Sequence, residues 1–192
     1  MEGLLTDGSS CSFSLRKQHA GLANSIRRAL MNDVKTWAPC LVTVAINTTC
    51  QTDEYIAHRI GLIPFVATAE VGVPPRMQLH VSDRTALASD LTGECGLKPP
   101  HDVPILTLTT GQELQLEVEF EYSSAATHAR FSHVGPVSYK VDDSGTAHVS
   151  FETTSNEPAV DHLVAALASL VSRASAATHF VETQYDGEHS IV

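Results

Sequence analysis

Glu54 and His58 stand four residues apart, a spacing that places both side chains on one face of a helix and could offer a metal two ligands. The pair lacks the second histidine of a zincin, and a carboxylate–imidazole pair on a helix surface is the commoner outcome. His128 and His133 lie five apart around an expected strand, where odd spacing sends side chains to opposite faces. Cys11, Cys40, Cys50 and Cys95 are scattered, without a CxxC pattern to bring two thiolates to one ion. Serine, histidine and aspartate are abundant, but no GxSxG turn selects a nucleophile and no glycine-rich loop could cradle a phosphate. Nothing here supports catalysis by this chain alone.

The bulk properties narrow the setting. A chain of 192 residues suits one domain, or one domain carrying an insertion. No run approaches the roughly 18 consecutive apolar residues of a membrane span, and the opening residues lack the basic start and apolar run of a secretory signal. An intracellular, membrane-free protein is expected. Twelve basic residues against 22 acidic ones give a net charge of −10, which disfavours a broad nucleic-acid groove. Arg16–Lys17 and Arg27–Arg28 are the adjacent basic pairs, and ten histidines would shift the balance at mildly acidic pH.

The elements that must position these groups follow from periodicity. CSFSLR, residues 11–16, alternates with period two and reads as a half-buried strand. A helix is expected to begin near residues 19–21. Leu22, Ile26, Ala29, Leu30 and Val34 then form one apolar stripe, with Asn24, Arg27, Arg28 and Asn32 largely off it. That helix should stop near 33–35, ahead of Trp37 and Pro39. A strand is expected over 41–47, its buried face Val42, Val44 and Ile46. Thr52 is placed to cap a short helix whose inner edge is Ile56 and Ile60, with Gly61 taking the left-handed C-terminal position before Pro64.

Residues 66–110 lose periodicity and gather prolines, with short strands expected at 77–81 and 105–109. ELQLEVEFEY, residues 113–122, is the clearest strand, with one wet acidic face. The turn Asp142–Asp143–Ser144–Gly145 joins 137–141 to 146–152 as a hairpin. Ser155 or Asn156 is expected to cap a last helix, with Pro158 in its first turn. Val160, Leu163, Val164, Leu167, Leu170, Val171 and Ala174 form its apolar stripe; His162, Ser169, Ser172 and Arg173 form its polar side. A polar tail is expected from residue 183.

LANSIRRALMNDVKTWAP, the alternating strand after it and TDEYIAHRIGLIPF resemble the alpha-like subunits of multisubunit RNA polymerases. The archaeal D and nuclear third-subunit forms are nearer than the bacterial alpha amino-terminal domain, because E-x-x-x-HRIGLIP is characteristic of them. HARFSHVGPVSY is similar to a second family segment, with His133 standing where a proline is usual. The closing hairpin and helix fit in order and length, while the middle third matches weakly.

The resemblance implies an α+β fold. A discontinuous alpha-like dimerisation domain, a sheet with two packed helices, would span residues 1–47 and 125–192, interrupted by a mostly β insertion domain over 48–124. It implies a non-catalytic assembly scaffold of a DNA-directed RNA polymerase that heterodimerises with a smaller alpha-like subunit and recruits the second-largest catalytic subunit for transcription. A small zinc-binding polymerase subunit is a further expected neighbour, with little direct nucleic-acid contact. By this resemblance Leu22, Ile26, Leu30, Val160, Leu163, Leu167, Leu170 and Val171 belong to the core or to the interface with the alpha-like subunit. Asn24, Arg27 and Arg28 face the large subunit, where arginine's planar donors suit carboxylates and carbonyls. Cys95 alone cannot supply the cysteine clusters found in some family insertions, so no metal and no cofactor are expected in this chain; magnesium belongs to the catalytic subunits. No counterpart of the domain with which bacterial alpha touches promoter DNA is expected. The shortened, metal-free form fits a divergent eukaryotic or large-DNA-virus polymerase, set in nucleus, cytoplasm or virion. Two other readings stand beside this one: a homodimeric interaction module using the same helices, and a small metal-dependent hydrolase using His58, His128 or His133.

Overall fold

The computed structural model describes residues 2–16, 20–68, 71, 75–93, 95–99, 102–155 and 157–189; Lys17, Asn156 and position 19 lie outside them. The chain runs β1 (Glu2–Thr6), β2 (Ser10–Leu15), α1 (Ala20–Asn32), β3 (Lys35–Asn47) and α2 (Asp53–Gly61). It continues through β4 (Val66–Ala67), β5 (Arg76–Ser82), β6 (Thr85–Leu87), β7 (Leu97–Lys98), β8 (Pro104–Thr107) and β9 (Glu113–Ser124). The hairpin β10 (Ser138–Val141) and β11 (Ala147–Glu152) leads to α3 (Ala159–His189). An α+β fold with antiparallel sheets results. Two compact units divide it: residues 1–34, 134–153 and 157–192, and residues 35–133 with 154–156. These units change over at 34/35, 133/134, 153/154 and 156/157; the domain bounds expected from the sequence were 47/48 and 124/125.

In the first unit the sheet runs β1-β2-β11-β10. Phe13 pairs with Val149, and Cys11 with Phe151, so alternation places Cys11, Phe13, Leu15, Ala147, Val149 and Phe151 on one buried face. Helices α1 and α3 cover that face with Ala23, Ile26, Ala29 and Leu30, and with Ala159, Leu163 and Ala166. The alanines let the helix axes come close to the sheet and to each other. The amide of Ala159 donates to the Gly8 carbonyl at 2.8 Å, seating the start of α3 on the β1–β2 turn.

His162 departs from expectation. Assigned to the polar side of α3, it is 3% exposed, its Nε2 lying 3.3 Å from a carboxylate oxygen of Glu157. Burial pushes the imidazole pKa down, with Asp161 pulling it up, and burial pushes the Glu157 carboxyl up. A histidine whose folded pKa lies below its ordinary value of 6.5 takes up its proton first in the unfolded chain. Its contribution to stability is thus present above that value and lost as pH falls through it. Glu157 has the opposite sign, its cost being relieved on acidification toward its own ordinary range near 4.5. Between neutrality and about pH 5.5 lies the range around the ordinary histidine value, where the effect of His162 is read. The urea midpoint of the first unit is expected to fall across that window, and His162→Gln should flatten the slope; an unchanged slope would contradict this assignment.

In the second unit β9 is the central strand of β3-β9-β5. Its inner face, Leu114, Leu116, Val118 and Phe120, packs on Ile56 and Ile60 of α2 and on Phe65, Met77 and Leu79. Its acidic face finds local partners: Arg76 lies 3.3 Å from Glu117 and 2.6 Å from Glu119, and His80 Nε2 lies 2.7 Å from Glu113. Strand β3 begins six residues earlier than expected, running through Trp37 and Pro39. As an edge strand it tolerates the missing amide of Pro39, and a register shift follows at Pro39/Leu41. Trp37 faces Tyr122 across the ladder, ring centroids 5.2 Å apart.

Helix α2 begins as read, the Tyr55 amide donating to the Thr52 hydroxyl at 3.4 Å. It ends differently. Gly61 is the last helical residue and does not adopt positive φ; Leu62 stays right-handed, and the Leu62 and Ile63 amides donate to the Arg59 and Ile60 carbonyls at 3.3 and 3.1 Å. A tightened last turn thus satisfies the terminal carbonyls without a left-handed residue. Gly93 is where the backbone needs glycine: a Cβ there would collide with the Arg76 carbonyl oxygen.

Candidate protein-interaction site

Helix α3 is 31 residues long, about 46 Å at the helical rise, and its burial is uneven. Leu163 and Ala166 are in the core, and Leu167 and Leu170 are half-buried against it. From Val171 to Thr183 every described side chain is exposed, so the helix runs well past the sheet that supports its start. It also continues to His189, where a polar tail was expected from 183; residues 190–192 lie outside the described part. Val171 is 66% exposed, Phe180 65% and Val181 64%. The stretch Ala159–Thr183 is long and apolar enough to cross a membrane by length and composition, although Ala159, Leu163 and Ala166 at its start are packed in the first unit's core. One such helix is weak evidence for a membrane span, because an apolar helix awaiting a protein partner has the same properties.

The expected interface residues accordingly separate. Ile26, Leu30 and Leu163 are buried in the first unit's own core; Val160, Leu167 and Leu170 are half-buried. Leu22 on α1 and Val171 on α3 are exposed, and so are Met31, Val164, Phe180 and Val181, which were outside the expected set. Val164 and Val171 share one face, seven residues apart. A heptad step between valines was the available signal, but exposure depends on where the sheet ends.

Asn24, Arg27 and Arg28 lie on α1. The Asn24 side-chain oxygen accepts from Arg27 Nε at 3.2 Å and from Nη2 at 3.1 Å, and Arg27 Nη1 reaches Met31 Sδ at 3.4 Å. Arg27 is thus laid along its own helix by neighbours at three and four residues, and Asn24 acts as its positioner. Arg28 is exposed. An ordered guanidinium on a helix flank is suited to charge-assisted contacts with a partner's carboxylates or carbonyls.

The residues considered for catalysis come together only in part. Glu54, His58 and His128 line one cavity of about 400 Å³ in the second unit, with Cys40, Leu62 and Arg130. His128 Nδ1 is occupied, accepting from the Arg130 amide at 3.1 Å and from its Nε at 3.2 Å, while Nη1 of that arginine donates to the Pro39 carbonyl at 2.9 Å. His133 is buried and does not line the cavity. Among the described residues no group of three or more histidine, cysteine or acidic side chains is placed to hold a metal.

On the outer face of the first unit's sheet, Ser14 Oγ lies 2.9 Å from His148 Nδ1, and His148 Nε2 lies 3.3 Å from Asp142. The Ser144 hydroxyl and the Thr146 amide, with His148 and the Ser144 amide, hold the Asp142 carboxyl at about 2. The residue types are those of a triad. Ser14, however, sits in an interior strand, paired to β1 on one side and β11 on the other. An oxyanion would need converging free donors, and the ladder is a poor source of them. The chain ties β2 to the β10–β11 hairpin.

Residues 12–174 match the family described as the RNA polymerase Rpb3/Rpb11 dimerisation domain. Subunit Rpo3 of the DNA-directed RNA polymerase of Methanocaldococcus jannaschii is 30% identical over 144 residues, covering 71% of this chain and 72% of that protein. Subunit 3 of DNA-directed RNA polymerases II, IV and V of Arabidopsis thaliana is 32% identical over 132 residues, 69% of this chain and 37% of the other. Rpo3 of Pyrobaculum islandicum is 29% identical over 134 residues, 59% of this chain and 51% of its own length. Against the Pyrobaculum protein the chain spans about half the relative's length.

Proposed function

The chain belongs to the RNA polymerase Rpb3/Rpb11 dimerisation family, and from that premise we propose that it is a non-catalytic assembly scaffold of a DNA-directed RNA polymerase. It pairs through α1 and α3 with a smaller alpha-like subunit, and the pair recruits the second-largest subunit through the flank of α1 carrying Asn24, Arg27 and Arg28. The observation that carries this reading is the exposed apolar length of α3 beyond Leu170, together with the exposed Leu22 and Met31 on α1. An exposed apolar surface of that kind marks a protein-interaction site. The first compact unit supplies the dimerising face, and the second is the insertion.

The net charge of −10 agrees with a role that leaves nucleic acid to other subunits. Phosphodiester chemistry and its magnesium lie with the catalytic subunits, and a small zinc-binding subunit is a further neighbour. The setting is intracellular.

Co-expression with an alpha-like subunit, followed by measurement of molar mass in solution, tests the proposal. A one-to-one heterodimer is expected; a monomer indifferent to every polymerase subunit would end it, and a homodimer that excludes the partner would replace it with the self-association reading. Arg27→Glu should leave the heterodimer intact while weakening capture of the second-largest subunit about ten-fold or more, the cost of opposing a charge-assisted contact. Equal loss of both interactions would contradict the separation of faces.

A further inference from the structure

Asp33 follows directly after the last residue of α1, its amide donating to the Ala29 carbonyl at 2.9 Å. A carboxylate is electrostatically misplaced there, because the helix dipole leaves its C-terminal end negative. α1 has no basic residue in its last turn to offset it. The compensating charge comes from 140 positions later in the chain: Arg173 of α3 brings Nη2 to 2.7 Å from Asp33 Oδ2. The contact is an ion pair between a carboxylate that is 20% exposed and a guanidinium that is 57% exposed.

Its position on α3 gives it a consequence. Leu170 is the last apolar side chain of α3 packed against the core, and every described side chain from Val171 onward is exposed. Arg173 is therefore a polar tie one turn past the end of the apolar seat, at the root of the overhang. We infer that the Asp33–Arg173 pair is a pin that fixes the direction in which the outer half of α3 leaves α1, so that the surface bearing Val171, Phe180 and Val181 is presented to its partner already oriented. This rests on the assembly reading above and adds a positioning role that apolar contacts do not supply, since they are non-directional. In this role the two residues act on the chain itself, on the direction of α3. They act by reducing the conformational freedom lost on docking.

The test separates orientation from stability. Asp33→Asn removes both an unfavourable dipole interaction and a partly exposed ion pair, two effects of similar size and opposite sign. The melting temperature should therefore stay close to that of the wild-type chain. Affinity for the alpha-like subunit, read by titration calorimetry, should nevertheless fall about two- to five-fold, with the same loss for Arg173→Gln. The charge-reversed pair Asp33→Arg with Arg173→Asp should restore it. Wild-type affinity in either single variant, or no recovery in the reversed pair, would overturn the pin.

A second measurement needs no partner. With Cys40→Ser and Cys50→Ser as background, spin labels at Ser25→Cys on α1 and Thr178→Cys on α3 should give a narrow distance distribution that broadens on Asp33→Asn. An unchanged distribution would overturn the pin even where the wild-type chain binds no alpha-like subunit, an outcome that would itself sink the assembly reading.

Discussion

Val171→Asp is expected to abolish association with the alpha-like subunit, by on the order of a hundred-fold or more, while leaving the chain folded. Val171 is 66% exposed, so in the isolated chain the new carboxylate stays in water and changes folding stability by no more than about 0.5 kcal/mol. In the complex the same position would be covered by an apolar helix, and an unpaired charge buried there costs several kcal/mol. Leu163→Asp supplies the contrast. Leu163 is buried within the first unit, so that change should unfold the unit whether or not a partner is present. Circular dichroism melts paired with molar-mass measurements of the mixture read both quantities. Full-strength association of the Val171→Asp chain would mean that this face of α3 is open to water in the assembly.

The contrast between those two residues shows where sequence reading reaches its limit. Leu163 and Val171 belong to one periodic stripe, and periodicity places a side chain on a face without saying what lies opposite. What separates them is that the supporting sheet ends before α3 does. Strands β2 and β9, the α1 stripe, the Thr52 cap and the Asp142–Gly145 turn were legible because each is set by neighbours a few residues apart. The first six residues of β3 were not, because Pro39 reads as a break unless the strand is known to be an edge. His162 looked like a surface residue because its partner, Glu157, precedes the helix and burial comes from packing. The ion pair of Asp33 with Arg173 joins two segments that no local pattern relates. Of the candidate site, the helices and the position of Arg27 were readable from the chain. Its boundary between core and free surface was not.

The second large effect falls on the other compact unit. Phe65→Ala is expected to destabilise it by about 3–5 kcal/mol, the range for removing a fully buried aromatic ring. Phe65 is 1% exposed and meets Phe120 edge-on, with ring centroids 4.7 Å apart and an interplanar angle of 73°. The ring therefore contributes both apolar area and an aromatic pair whose geometry suits the ring quadrupoles. It also sits where α2 has just ended and Pro64 redirects the chain, so the cavity left behind borders Ile60 and Ile63, whose turn is held by single backbone hydrogen bonds. Phe65→Leu keeps most of the volume and should cost about 1–2 kcal/mol, since the aromatic pair is lost but no large void opens. Urea unfolding followed through Trp37, which packs against this core, reports on this unit. A loss under about 1 kcal/mol for Phe65→Ala would show that the site collapses around the missing ring. Because Phe65 and the exposed length of α3 belong to different compact units, Phe65→Ala should retain the alpha-like partner at temperatures where the second unit has begun to open. Val171→Asp should do the reverse, and the two variants together separate the dimerising face from the insertion.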